Sequence, residues 1–136
     1  MGNELASVNR YNSLQLAYLG DAVYELYIRE YLLSTGFLSP GELNKRAKNY
    51  VSAKAQAKTY FLVESELTCA EKGHLRRGRN AKGGAAPSAS SVGDYRRATG
   101  LESLLGALYV EGEKERIHQI MEICIKVLED NNEKMD

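Results

Sequence analysis

The stretch LAYLGDAVYELYIREYLL, residues 16–33, decides the fold, because it is apolar on almost every face of a helix. Gly20 is its only helix breaker, and Ser34-Thr35-Gly36 follows it as a typical C-terminal stop. We predict a central helix from Ser13 to about Leu33. Asp21 lies near its beginning, where an isolated buried charge would cost several kcal/mol. The first question is therefore what this carboxylate binds.

The composition is that of a globular protein, with 136 residues, 43% hydrophobic and 26% charged. A chain of this length forms one core, so we predict a single domain over residues 1–136. The uncharged apolar runs are too short to cross a bilayer, and the N-terminus lacks the apolar region of a signal peptide, which makes cytoplasmic residence the default expectation. Cys69 and Cys124 have neither zinc-ligand nor redox spacing, and we expect both to be reduced packing residues.

The formal net charge is zero, but the charges are unevenly distributed along the chain. Residues 45–97 contain twelve Lys or Arg and four acids, an excess of +8, and the flanking segments together carry −8. A basic middle with acidic ends suggests that one face attracts a polyanion. The alternative is a set of ordinary solvated helix faces, and charge alone does not separate the two.

The segment after the first helix also has the features of a helix. Ser39-Pro40-Gly41-Glu42 has the form of a capped helix start, with proline at the first helical position. A long helix or a kinked pair of helices is predicted from there to about Glu64. Its apolar residues, Phe61 and Leu62 among them, are expected to face inward, and its lysines outward.

The second half of the chain is helical around one irregular segment. Thr68 is a candidate cap for a shorter helix, and further helices are expected over residues 95–110 and 114–129, followed by a frayed tail over about 130–136. Residues 76–94 are rich in Gly, Ser and basic side chains, and they predict an exposed, mobile basic loop. No alternating strand pattern appears, so the fold class is all-α.

Two acids interrupt otherwise apolar helices: Asp21 in the first helix and Glu102 in the helix over residues 95–110. Converging from neighbouring helices, they would form an oxygen-rich site that suits Mg²⁺. Gly20 and Gly106 each cost about 1 kcal/mol in a helix interior, which indicates close approach of two backbones. The alternative is that each carboxylate lies at a helix edge in water or pairs with a basic residue.

At this point the motifs resemble a known family. LGDAVYE (residues 19–25) and ATGLESLLGALYVEG (residues 98–112) resemble the paired signature of the ribonuclease III endonuclease domain. With YVSAKAQA (50–57) and RRGRNAK (76–82) between them, the four ordered blocks are similar to the Mini-ribonuclease III group, over residues 12–128. The resemblance implies a helical bundle that forms a two-fold homodimer. It also implies cleavage of double-stranded RNA with Mg²⁺, or Mn²⁺ as a substitute, to leave a 5′-phosphate and a 3′-hydroxyl.

Carried over by position, the resemblance makes Asp21 and Glu102 catalytic metal ligands. Two further acids of the larger family are missing, since Ala17 and Thr99 stand at their positions. Fewer anionic ligands bind Mg²⁺ more weakly, so the number of metals and their affinity are open. Glu25 lies one turn beyond Asp21 and is a candidate to support the metal ligands or the helix itself. Thr99 is a further candidate to support the ligands.

The basic residues are the candidate RNA contacts, directed at phosphates and 2′-hydroxyls across the shallow groove of A-form RNA. By family, the substrate is expected to be a precursor of large-subunit ribosomal RNA. Because the resemblance includes no separate double-stranded-RNA-binding domain, specificity should come from loops, RNA shape or a helper such as a ribosomal protein. The candidate contacts are Lys45, Arg46, Lys48, Lys54, Lys58, Arg76, Arg77, Arg79, Asn80, Lys82, Arg96 and Arg97.

Two other functions stay open at this point. One is a dimer that binds double-stranded RNA but no longer cuts it, because only two of the family's acids are present. The other is a helical adaptor whose basic surface binds acidic proteins. Metal-dependent RNA cleavage separates the enzyme from both.

Overall fold

Helices make up almost all of the chain that the computed structural model describes, which is residues 7–36, 38–81 and 91–135. A short 3₁₀ turn, Val8–Arg10, precedes the first α-helix, and no strand occurs in these ranges, so the all-α prediction is confirmed. The helices are α1 (Ser13–Ser34), α2 (Pro40–Val51), α3 (Ala53–Ser65), α4 (Cys69–Asn80), α5 (Val92–Val110) and α6 (Lys114–Met135).

The centre of the bundle is the crossing of α1 with α5, where two glycines let the backbones touch. A Cβ added at Gly20 would lie 1.7 Å from the carbonyl oxygen of Glu102, and one added at Gly106 would lie 1.9 Å from that of Leu16. Neither position can hold a side chain at this helix separation. The predicted close approach of two backbones is therefore confirmed.

The predicted loop over residues 76–94 is wrong at both ends. Residues 76–80 form the last turn of α4, and residues 92–94 form the first turn of α5. A capping box between Thr68 and Glu71 starts α4. Gly78 does not end α4, because this glycine packs against α5: a Cβ there would lie 2.3 Å from Ser103 Oγ. Residues 82–90, with the candidate contact Lys82, lie outside the described residues.

Ser52 divides the predicted helix over residues 40–64 into a kinked pair. It ends α2 and caps α3, where its hydroxyl accepts a hydrogen bond from the backbone N–H of Ala55. The inward placement of Phe61 and Leu62 was wrong, since they are 62% and 50% exposed. Because α2 ends and α3 begins at Ser52, the apolar positions of α2 do not continue at helical spacing into α3. The buried face of α3 is instead Ala55, Gln56, Ala57, Thr59, Tyr60 and Val63.

The last helix extends beyond its predicted end. We expected a frayed tail from about residue 130, but α6 continues to Met135, because no glycine or proline interrupts it. Its apolar face contributes Ile117, Ile120 and Leu128 to the core. Cys124 is buried there as predicted, whereas Cys69 is exposed at the start of α4. None of the described helices is long and apolar enough to cross a membrane.

Candidate active site

Asp21 and Glu102 meet at the crossing of α1 and α5. Gly20, the neighbour of Asp21, packs its backbone onto the Glu102 carbonyl, so the two acids arrive at the same point from different helices. Their carboxyl groups interact directly. The sequence-based pairing of these two residues therefore corresponds to a real cluster, although they lie 81 positions apart.

The two carboxyl groups differ in their surroundings. Asp21 is exposed, whereas Glu102 is partly buried and is hydrogen-bonded to Gln56 of α3. The pKa of Glu102 is raised to about 8, chiefly by burial; a hydrogen bond from Gln56 opposes the rise, and the neighbouring Asp21 carboxyl group adds to it. Without a cation, this pair therefore favours a proton on Glu102 at neutral pH. A bound cation would replace that proton, because a positive charge stabilises both carboxylates.

Gln56 completes the cluster, and the sequence reading missed it. Its side chain is 2% exposed, and its Nε2 donates to Glu102 Oε2 and to the Val51 carbonyl, each at 3.2 Å. Its Oε1 is buried and has no hydrogen-bond partner among the described residues. The available signal was a glutamine between Ala55 and Ala57 on the inward side of α3, where a polar side chain needs a buried partner.

The residues proposed to surround the pair have partners of their own. Thr99 is buried, and its hydroxyl donates to the Tyr95 carbonyl at 2.9 Å, one turn earlier in α5. Glu25 pairs with Arg29 at 3.0 Å on α1. Ala17 is also buried. That Thr99 and Glu25 support the metal ligands stays a prediction.

The donor set fits a hydrated, weakly held Mg²⁺. Among the described residues, no cluster of three or more His, Cys, Asp and Glu side chains could form a metal cage. Mg²⁺ does not need such a cage, because it keeps several waters and binds through one or two carboxylates together with substrate phosphates. Asp21 and Glu102 would hold it, and the unpartnered Gln56 Oε1 adds a further oxygen to this region.

The candidate RNA contacts lie on four helices. Ser52 splits the basic stripe expected on one helix between α2 and α3, and among the described residues none of its five cations forms a salt bridge. The arm expected from residue 76 is helical rather than flexible. The exposed candidates are Lys45, Arg46, Lys48, Lys54, Lys58, Arg76, Arg77, Asn80 and Arg96.

Three of the arginines are held by neighbours. Arg76 pairs with Glu64 at 3.2 Å. Arg79 donates to the Tyr60 hydroxyl at 3.1 Å, and the Arg97 guanidinium lies 5.2 Å from the centre of the Phe61 ring. Such contacts fix an arginine in one orientation while leaving some of its five N–H donors available.

Comparison with known proteins identifies the family. The family model described as Ribonuclease III domain matches residues 14–113. The chain belongs to the ribonuclease III family. A Mini-ribonuclease 3 from Enterococcus faecalis is 46% identical over 125 residues, which cover 90% of this chain and 95% of that protein. One from Brevibacillus brevis is 41% identical over 121 residues, which cover 89% and 90%.

A solved structure agrees with this assignment. The X-ray structure of a protein from Fusobacterium nucleatum superposes with a TM-score of 0.80 at 38% identity, and it covers 89% of this chain and 98% of that chain. The ribonuclease III helical bundle predicted from the motifs is therefore confirmed. As a ribonuclease III family member in the Mini-ribonuclease 3 group, the chain is an endoribonuclease.

Proposed function

We propose that this ribonuclease III family member is a Mg²⁺-dependent enzyme that hydrolyses double-stranded RNA and leaves a 5′-phosphate and a 3′-hydroxyl. The observation that supports this proposal is the contact between the Asp21 and Glu102 carboxyl groups at the helix crossing. When bound, the cation would make a water nucleophilic and neutralise charge on the phosphate, and Mn²⁺ would substitute for it.

The two carboxylates have different tasks in this mechanism. Asp21 is exposed and can be reached by a cation that already carries an RNA phosphate. Glu102 is held in place by Gln56 and by the packing of α5. One ligand therefore receives the substrate, and the other fixes the position of the cation.

The exposed basic residues are proposed to hold the RNA backbone. Lys54 and Lys58 lie on α3, the helix that also carries Gln56. Contacts from these lysines and from the neighbouring helices would position the duplex by charge and shape, with little reading of base sequence. Binding should therefore weaken steeply with salt.

We also propose a homodimer, because α1 carries an uncovered apolar stripe. Leu14, Tyr18, Leu26 and Leu33 are exposed along this helix, and Tyr18 is 86% exposed. Exposed apolar side chains that share one face of a helix mark an association site. Asp21 lies three residues after Tyr18 on the same helix, so association of two copies through α1 would bring the two sites towards one RNA duplex.

The biological task is proposed from the family resemblance alone. The substrate would be a structured precursor of large-subunit ribosomal RNA in the cytoplasm, so the enzyme would act in ribosome biogenesis. A ribosomal protein would serve as a helper that presents the RNA.

Cleavage of an end-labelled duplex RNA, with and without Mg²⁺, tests the central proposal. Asp21→Asn and Glu102→Gln should each lower the cleavage rate by a factor of about 10² or more, since each removes a charged metal ligand. Glu30→Gln, which removes an exposed acid from the same helix as Asp21, is the matched control and should cleave normally.

Three outcomes would contradict parts of this proposal. Metal-dependent cleavage that survives both ligand substitutions would disprove the site. Binding without any cleavage would favour the non-catalytic RNA-binding dimer. Binding that does not change between about 50 and 200 mM salt would argue against phosphate contacts, because several released counterions lower the affinity by about 10³-fold over such a range.

A further inference from the structure

The amide of Gln56 can adopt only one orientation in its buried position. The Val51 carbonyl, 3.2 Å away, can only accept a hydrogen bond, so the NH₂ group of the amide must face it. The second hydrogen of the same NH₂ group is then directed to Glu102 Oε2, also at 3.2 Å. The hydrogen-bond network therefore fixes which end of the amide faces the carboxylate.

This orientation commits one Glu102 oxygen as an acceptor. Oε2 receives the Gln56 hydrogen, whereas the other carboxylate oxygen receives no hydrogen bond from Gln56 and keeps both of its lone pairs for a cation or a proton. Val51 ends α2 and Gln56 lies in the first turn of α3, so the break between these helices fixes the position of the amide. Rotation of the Glu102 carboxylate would break this partly buried hydrogen bond.

The remaining Gln56 oxygen, Oε1, has no hydrogen-bond partner among the described residues. Oε1 is buried and accepts no hydrogen bond from the described residues, although nearly all buried polar atoms in native proteins are paired. It lies on the amide that touches Glu102, beside the carboxylate pair. The waters that Mg²⁺ retains when it binds to few carboxylates would be suitable donors for this atom.

We infer that Gln56 is a positioning residue of the metal site, which holds the Glu102 carboxylate in its ligand orientation. This inference rests on the proposed Mg²⁺-dependent function. The side chain touches the site from α3, which neither of the two carboxylate motifs includes. In this site Ala17 and Thr99 replace two acids of the larger family, so less negative charge is present to bind a cation. Gln56 adds no charge, but it would strengthen cation binding by holding the Glu102 carboxylate in one orientation.

Direct cation binding in the absence of RNA tests the inference. Gln56→Met keeps the length of the side chain but removes both hydrogen bonds. It should weaken Mn²⁺ binding, measured by electron paramagnetic resonance of the free ion, by about tenfold or more, as losses of such supporting contacts do. The same variant should need a correspondingly higher Mg²⁺ concentration for half-maximal cleavage.

Thr59→Val is the matched control for a merely structural role. Thr59 is fully buried on the same helix, and its hydroxyl donates to the Gln56 backbone carbonyl at 2.8 Å. This substitution should lower the melting temperature but leave Mn²⁺ affinity within about twofold of the wild type. If Gln56→Met changes the affinity no more than Thr59→Val does, the inference is wrong.

A second measurement uses the wild-type protein, so it does not depend on whether a variant folds. In the ¹⁵N-labelled wild-type protein, the side-chain NH₂ signals of Gln56 should shift during a Mg²⁺ titration, because their acceptor oxygen belongs to a ligand. Signals that do not move would overturn the inference. Wild-type protein whose Mn²⁺ affinity depends on Gln56 but which does not cleave RNA would disprove the proposed function alone, whereas absence of Mn²⁺ binding both without and with duplex RNA would overturn both.

Discussion

The Glu102 carboxyl group binds a proton more tightly in the folded protein than in the unfolded chain. Its pKa rises from 4.5 to about 8, because burial and the charge of Asp21 outweigh the hydrogen bond from Gln56. Between these values the folded state carries a proton that the unfolded state has released. The contribution of Glu102 to stability is therefore present at low pH and is lost as pH rises towards about 8.

Metal-free protein should show this loss in urea unfolding at several values between about pH 5 and pH 8.5. The Glu102→Gln variant cannot ionise, so the difference in unfolding free energy between wild type and variant should change by about 1 kcal/mol or more across the range. Contributions common to both proteins, such as His74 with its lowered pKa, cancel in that difference. A difference that is constant with pH would contradict a Glu102 carboxyl group with a raised pKa.

At the residue scale, sequence reading found the charged half of the site but not its neutral part. Asp21 and Glu102 were recognisable because a carboxylate in an apolar helix needs a reason. Gln56 carries no charge, and its partners lie on α2 and α5. Only the fold shows that these groups meet, so its role could not be predicted from spacing along α3.

At the scale of the helices, the crossing of α1 and α5 depends on Gly106. Gly106→Ala would place a methyl group 1.9 Å from the Leu16 carbonyl oxygen, so the helices would have to separate. We expect a loss of about 3 kcal/mol or more in unfolding free energy, measured by urea denaturation, since overpacking of a core typically costs 1–3 kcal/mol even where side chains can adjust. Cleavage should fall as well, because Glu102 moves with α5.

Gly41→Ala is the matched control for this prediction. Gly41 lies in the exposed first turn of α2, where an added Cβ meets nothing closer than Ser39 Oγ at 3.9 Å. Alanine favours the helix there, so stability should be unchanged or slightly higher. Equal losses in the two variants would mean that close packing at the crossing is not what Gly106 provides.

Glycines also explain where the helix predictions failed. Gly20 and Gly106 lie in long apolar runs, so the sequence indicated packing between helices rather than breaks. Gly78 lies among basic residues in RRGRNAK, a segment whose composition predicts a loop, although Gly78 packs on Ser103 of α5. Glycine occurs both in loops and where two helices pack closely. Which of the two applies depends on the partner helix, which lies elsewhere in the sequence.

At the scale of the whole molecule, the order of helices and the core were predictable because α1 and α5 are apolar on most of their faces and α6 has one apolar face. The surfaces that are exposed to partners were less predictable from the sequence. Phe61 and Leu62 were expected inside and lie outside, because the break at Ser52 turns α3. Exposed apolar side chains therefore occur on α3 as well as on α1, and those on α1 extend from Leu14 to Leu33.

Association through α1 is testable by one substitution on its stripe. Leu26 is 59% exposed in the single chain, and Leu26→Lys would bury a charge in the proposed interface. Sedimentation should show the wild type at twice the 15.1 kDa chain mass and the variant with dimer affinity weakened by about 30-fold or more, as for a hot-spot residue. Leu62→Lys, which changes an exposed residue of α3, is the control and should stay dimeric. A monomeric wild type, or equal effects of the two lysine substitutions, would rule out α1 as the interface.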